Sequence, residues 1–215
     1  MMKMSTSNKG VFISFEGIDG CGKSTQVQML LKRLEEEGIE CELVREPGGS
    51  NISEEIRNVL LKTRPENMDS RTEALLMTAS RAQLTKEKII PALENGICII
   101  ADRYKDSTLA YQGGGRGIDV EYLIELNEFA TYGLDPDLTI FIDISALDAK
   151  NRSNVSHPDR IESIGLDFQE QVRELYLALA ERYPDRFVKI DGSNSIEVIH
   201  GTIWEKTINC INAKN

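Results

Sequence analysis

Residues that build metal centres or disulfides are scarce in this 215-residue chain. Its four cysteines, Cys21, Cys41, Cys98 and Cys210, lie far apart and form no C-x-x-C pair. That excludes a zinc ribbon and a disulfide framework, and fits a reducing compartment, the cytoplasm. There are two histidines. His157 reads as a surface-loop residue rather than a general base, and His200 has no evident role. No apolar run is long enough to span a bilayer, so no membrane partner is expected. The first ten residues, Met1 to Gly10, are polar and read as a frayed end, neither signal peptide nor anchor. Basic charge is also in deficit. The net charge of −10 excludes nucleic-acid binding by bulk electrostatics. A site for phosphates has to be built from locally clustered Arg and Lys. There is no internal repeat, no low-complexity tract and no Asn-Lys-x-Asp guanine-reading sequence.

What is present is a β–α alternation. Val11 to Phe15, Glu40 to Arg45, Ile97 to Ala101, Leu138 to Ile144 and Arg186 to Ile190 are short apolar runs predicted as strands. Helical spacing is predicted over Thr25–Arg33, Ser53–Leu61, Ser70–Leu93, Val120–Thr131, Phe168–Tyr183 and Ser195–Ile211. Strands separated by helices predict an α/β three-layer sandwich, a parallel sheet of about five strands with helices on both faces. The expectation is one domain over residues 11–213. Ligands in such sheets bind beyond the carboxyl ends of the strands.

The first strand runs into Gly17-Ile18-Asp19-Gly20-Cys21-Gly22-Lys23-Ser24, and Thr25 follows in the helix. This is the G-x-x-x-x-G-K-[ST] phosphate-binding loop in the strand-before, helix-after setting that it requires. Backbone N–H groups and the helix N-terminus would hold a nucleoside triphosphate, ATP in the reading favoured here. Lys23 would reach its β/γ-phosphates and Ser24 would bind Mg²⁺.

Other chemistry-bearing residues follow the other strands. Ile97 to Asp102 has the form of a Walker B strand, so Asp102 either serves Mg²⁺ or caps the next turn. Arg103 follows it and suits a bidentate grip on phosphate. Arg45 and Glu46 precede a Pro-Gly-Gly turn and are either an ion pair or ligand contacts. Arg57 reads as a helix-face cation. Arg81, after the apolar run Ala74 to Ala79, is expected to point into a polar cleft. Tyr111 and Gln112 offer a flat wall and a donor–acceptor pair, and Gly113 to Gly115 read as a flexible turn. Asn151 to Pro158 is polar and aperiodic, a candidate lid over about 150–160 flanked by Lys150, Arg152 and Arg160.

The segments FEGIDGCGKST, REPGGS, SEEIRNVLL, TEALLMTASRAQ, DRYKDSTLAYQGGGRG, GLDPDLTIFIDI and DRIE together resemble the thymidylate kinase family. They span Phe15 to Glu162 in the family's order. The resemblance implies a homodimeric, Mg²⁺-dependent phosphotransferase that converts dTMP to dTDP with ATP, on the route to dTTP. It implies that Arg103 and Arg57 hold the dTMP phosphate. Arg81, Gln112 and Thr108 would meet the thymine edge, with Met77 where the family often stacks a Phe. Tyr111 and Ser107 would line the sugar side of the same pocket. Asp19 would lie near the sugar 3′-hydroxyl and the phosphate-binding Arg, Glu46 near the metal or acceptor phosphate, and Asp102 at Mg²⁺. Gly20 stands where a sister subclass has Arg, which moves a catalytic cation to the lid, Arg152 or Arg160. Gly192 and Ser193, after the last strand, are the expected adenine wall by position. The alternatives are a kinase for another nucleoside monophosphate or a deoxynucleoside, and a nucleotide-dependent switch protein.

Overall fold

The structure is a computed structural model that describes residues 9–63, 65–152 and 159–214. Among them, five parallel strands form one sheet in the order β2-β3-β1-β4-β5. The strands are β1 (Phe12–Glu16), β2 (Cys41–Arg45), β3 (Cys98–Asp102), β4 (Leu138–Asp143) and β5 (Phe187–Asp191). The helices are α1 (Lys23–Glu36), α2 (Asn51–Leu61), α3 (Ser70–Leu84), α4 (Ile90–Glu94), α5 (Lys105–Thr108), α6 (Val120–Thr131), α7 (Ala146–Arg152), α8 (Leu166–Arg182) and α9 (Ile196–Lys214).

β1 and β3 are apolar almost throughout because both of their faces are covered. Ile13, Phe15 and Ile100 join the core formed with Val27, Leu30 and Leu34 of α1 and Ile203 of α9. Phe12, Ile99 and Ala101, one residue out of phase, pack with Leu84, Ile89, Leu93 and Tyr104. The period of two thus sends alternate residues to opposite layers. Registers such as Phe15 to Asp102 and Arg45 to Asp102 bring the carboxyl ends of β1, β2 and β3 level. Gly10 is buried, and its N–H donates to the Leu93 carbonyl (2.8 Å).

Three segments differ from the sequence reading. The predicted helix Ser70–Leu93 divides into α3, a π-helical turn over Thr85–Ile89, and α4. Pro91 stands in the first turn of α4, where its missing N–H interrupts the regular ladder. Ala146–Arg152, read as part of no helix, forms α7, so Asn151 and Arg152 are helical. The remaining lid residues, 153–158, His157 included, lie outside the described residues.

The third difference is Gly113 to Gly115. They are not a loose turn but the end of a π-helical stretch, Leu109–Gly115, that continues α5 and packs against α8. A Cβ on Gly114 would stand 2.7 Å from the Gln171 carbonyl oxygen, and one on Gly115 2.3 Å from the Phe168 ring. Glycine is there for the close approach of this stretch to the backbone and the Phe168 ring of α8, which sequence alone reads as turn chemistry.

Candidate active site

The β1–α1 loop is built for an anion. Gly22 leads into α1 with no side-chain cap, and the first turn carries no acidic residue. The helix's leading N–H groups therefore remain available, with the positive end of the dipole behind them. Lys23 lies folded over the loop, its Nζ donating to the carbonyls of Gly17 (3.0 Å) and Ile18 (2.9 Å). Gly20 has φ +82, and a Cβ there would sit 2.5 Å from the Ala149 carbonyl oxygen of α7.

Arg103 bridges this loop to the far side of the site. It is a non-glycine residue at φ 72, held by its N–H bond to the Phe15 carbonyl (3.0 Å). Its NH1 donates to the Gly17 carbonyl (2.9 Å). Its NH2 donates to Asp19 Oδ1 (2.6 Å) and to the Tyr111 hydroxyl (2.9 Å). The Tyr111 hydroxyl in turn donates to Asp19 Oδ2 (3.1 Å), closing a ring. Burial would raise the Asp19 carboxyl, but Arg103 and Lys23 outweigh it and hold it below the usual carboxylate range.

Beneath that ring lies Glu16, a residue the sequence reading left out. It is fully buried at the end of β1. Its Oε1 accepts the Tyr104 N–H (2.8 Å), and its Oε2 accepts the hydroxyls of Ser107 (2.6 Å) and Tyr176 (2.7 Å). Burial, then the nearby Asp106 charge, push its carboxyl up to about 7. Asp106 takes a two-point bond from Arg186 (2.7 Å each), which pins α5 to the sheet and so places Ser107 and Thr108.

The second half of the site is organised by two buried ion clusters. Arg81, 2% exposed, makes four hydrogen bonds to protein and an ion pair with Glu46. Nε and NH2 go to Glu46 Oε2 (2.8 and 2.6 Å), NH1 to Thr108 Oγ1 and Asn127 Oδ1, and NH2 also to the Tyr104 carbonyl. Glu46 Oε1 is buried with no partner among the described residues. Burial pushes the Glu46 carboxyl up, with Arg81 opposing. Arg45 pairs instead with Glu54 (2.9 Å), so the two residues before Pro47 have separate partners. The other cluster centres on Glu73, which accepts from Gln112, Arg116 and Arg160.

Both halves open on one cavity of about 1020 Å³. Of the residues singled out from sequence, Ile18, Asp19, Gly20, Gly22, Lys23, Ser24 and Thr25 line its loop side. Glu46, Arg57, Met77, Arg81, Asp102, Arg103, Ser107, Thr108, Tyr111 and Gln112 line the rest. Six do not line it. Gly17 and Cys21 lie behind the loop, the Gly17 carbonyl tied by Lys23 and Arg103. Arg152 is turned to the Gly192 carbonyl (2.7 Å), which joins it to the Gly192–Ser193 turn away from the cavity. Arg160 donates to Leu60 O (2.8 Å) and to Glu73 Oε2 (2.6 Å). Lys150 is the cation of that flank that does line the cavity.

A phosphate-binding loop and a second, arginine-lined pocket, facing each other across one cavity, define a P-loop nucleoside monophosphate kinase, an enzyme that uses ATP. The thymidylate kinase family model matches residues 15–203. The chain is 46% identical over 192 residues to the thymidylate kinase of Caldanaerobacter subterraneus subsp. tengcongensis, covering 89% of this chain and 92% of that protein. It is 48% identical over 193 residues to that of Fervidobacterium nodosum, covering 90% and 96%. For Kosmotoga olearia the identity is 46% over 207 residues, covering 94% and 97%. The chain belongs to the thymidylate kinase family.

Proposed function

We propose that this protein catalyses ATP + dTMP → ADP + dTDP with Mg²⁺. The supporting observation is the pairing, in one cavity, of the phosphate loop with the Arg103–Asp19–Tyr111 ring and the Gln112–Thr108–Arg81 wall. The reaction joins two polyanions, so catalysis is positioning and charge neutralisation. Lys23 exchanges its loop carbonyls for the donor phosphates. Arg103 is already clamped by Asp19 and Gly17, so it meets the acceptor phosphate with little reorganisation. Arg57, bonded to the Pro47 carbonyl (2.7 Å), adds charge on the acceptor side. The lid cation is Arg152, whose side chain makes one bond among the described residues, whereas Arg160 is tied to both Leu60 and Glu73.

Ser24, Asp102 and the unpartnered Glu46 Oε1 are all oxygen donors at the cavity, the hard-ligand chemistry that suits Mg²⁺. Among the described residues no group of three His, Cys, Asp or Glu could hold a metal ion alone, and phosphate oxygens would complete the shell. When bound, the ion neutralises charge on the transferring phosphoryl group.

The four free cysteines accord with a cytoplasmic protein, and no described helix is long and apolar enough to cross a membrane. Exposed apolar side chains on α2, α3 and α6 support a homodimer formed through those helices.

The test is an acceptor panel of dTMP, dUMP, dCMP and thymidine with ATP and Mg²⁺. dTMP is expected to be turned over best; a stronger preference for another acceptor overturns the proposal. Lys23→Ala is expected to lower kcat at least about 100-fold, as loss of an oriented charge stabiliser does.

A further inference from the structure

An amide side chain offers a ligand either a donor or an acceptor, according to which way it is turned. Gln112 lines the cavity, and its orientation is set from behind. Its Nε2 donates to Glu73 Oε1 at 2.9 Å. Glu73 is a buried carboxylate on α3 that also accepts Arg116 Nε (3.1 Å) and NH2 (3.0 Å) and Arg160 NH1 (2.6 Å). Burial would raise this carboxyl, but Arg116, Gln112 and Arg160 together hold it below the usual range. It is therefore ionised and can only accept. A group that only accepts admits only the NH2 end of the amide, so the oxygen of Gln112 is turned away from Glu73. Among the described residues no side chain or backbone group donates to that oxygen.

We propose that Glu73 is a positioning residue that fixes the sense of Gln112, so that the site presents an acceptor to the ring nitrogen of the acceptor base. This rests on the proposed dTMP kinase activity, with Gln112 at the thymine edge as the family resemblance implies. Thymine and uracil carry N–H at ring position 3 and satisfy the oxygen. Cytosine has a bare nitrogen there, and two facing acceptors leave both unpaired. Selection against cytosine is thus written on α3, one residue removed from the contact.

The test compares kcat/KM for dTMP, dUMP and dCMP in the wild type, Glu73→Asp and Glu73→Gln. A Gln at 73 can donate to the oxygen of Gln112 and lets the amide turn over. In Glu73→Gln the dTMP:dCMP ratio is expected to fall about ten-fold, the factor of one misdirected hydrogen bond. The dTMP:dUMP ratio is expected to stay within about two-fold, since both bases bring the same N–H. Glu73→Asp, still an acceptor, is expected to keep the dTMP:dCMP ratio. An equal loss on all three substrates in Glu73→Gln overturns the proposal. Should that variant not fold, the Gln112 side-chain amide protons of the ¹⁵N-labelled wild type decide. Slow solvent exchange before any nucleotide is added is the expected result, and fast exchange overturns it. A wild type that prefers another acceptor overturns the functional reading instead.

Discussion

Arg103 and Glu16 show how much of the chemistry at the residue scale lies in pairings rather than in residue types. Arg103 was legible because it follows an apolar strand ending in Asp102. Its partner Asp19 is a variable position of the loop motif, tied to the phosphate-binding Arg only through the family resemblance; the bond between the two is 2.6 Å. Glu16 was not legible, because its partners Tyr104, Ser107 and Tyr176 lie far away in sequence. That carboxyl titrates near 7 in the folded chain against an ordinary 4.5. Because the folded value is the higher, the folded chain retains a proton that the unfolded chain releases. The resulting stability is full below about pH 4.5 and is lost as pH rises through about 7. The groups around it, Asp106 with its partner Arg186, Arg103 and Tyr176, set the size of the effect. Glu16→Gln is expected to flatten this decline. Urea unfolding at pH 5 and pH 8 reads it, and a variant losing as much stability as the wild type between the two would contradict the assignment.

Among the elements, α7 has the clearest consequence for the phosphate loop. It was not foreseen, because Ala146 to Arg152 is too short and too polar for its periodicity to stand out. Its Ala149 carbonyl closes on Gly20, which is why that loop position has neither the φ nor the room for a side chain. The sister-subclass arrangement, with Arg inside the loop, is thus sterically incompatible with α7 in this place. Gly20→Ala is expected to destabilise by about 1–3 kcal/mol, from positive-φ strain and the clash. A thermal unfolding curve unchanged from the wild type would refute this. β1 and β3 were legible to within a residue because short, mostly apolar runs opening just after a Gly are strong strand patterns. The π-helical stretch after α5 was not, since its glycines answer to α8, which no local pattern reveals.

For the whole molecule, the β–α alternation disclosed a parallel sheet but not its order, because strand order is decided by long-range packing. The two-sided cavity was inferable from the combination of the loop with the segment Asp102 to Gln112. The fixed ion pairs that shape it, Arg81 with Glu46 and Glu73 with Arg116, needed the fold. At the same scale lies assembly. Phe129 is 83% exposed, Tyr122 56% and Leu75 53%. Tyr122 and Phe129 are seven apart on α6, hence on one face, and α3 packs between α6 and α2. Phe129→Asp is expected to convert the proposed homodimer to a monomer in sedimentation velocity, and an unchanged dimer would exclude this face. The glycine contact between residues 114–115 and α8 bears on how such a chain can change over time. The wall behind Tyr111 and Gln112 has no slack, so moving it means displacing a 17-residue helix. Drift toward a new acceptor is thereby channelled into exchanges of side chains such as Met77. An inhibitor moulded to that wall would face a surface where resistance mutations also undo the fold.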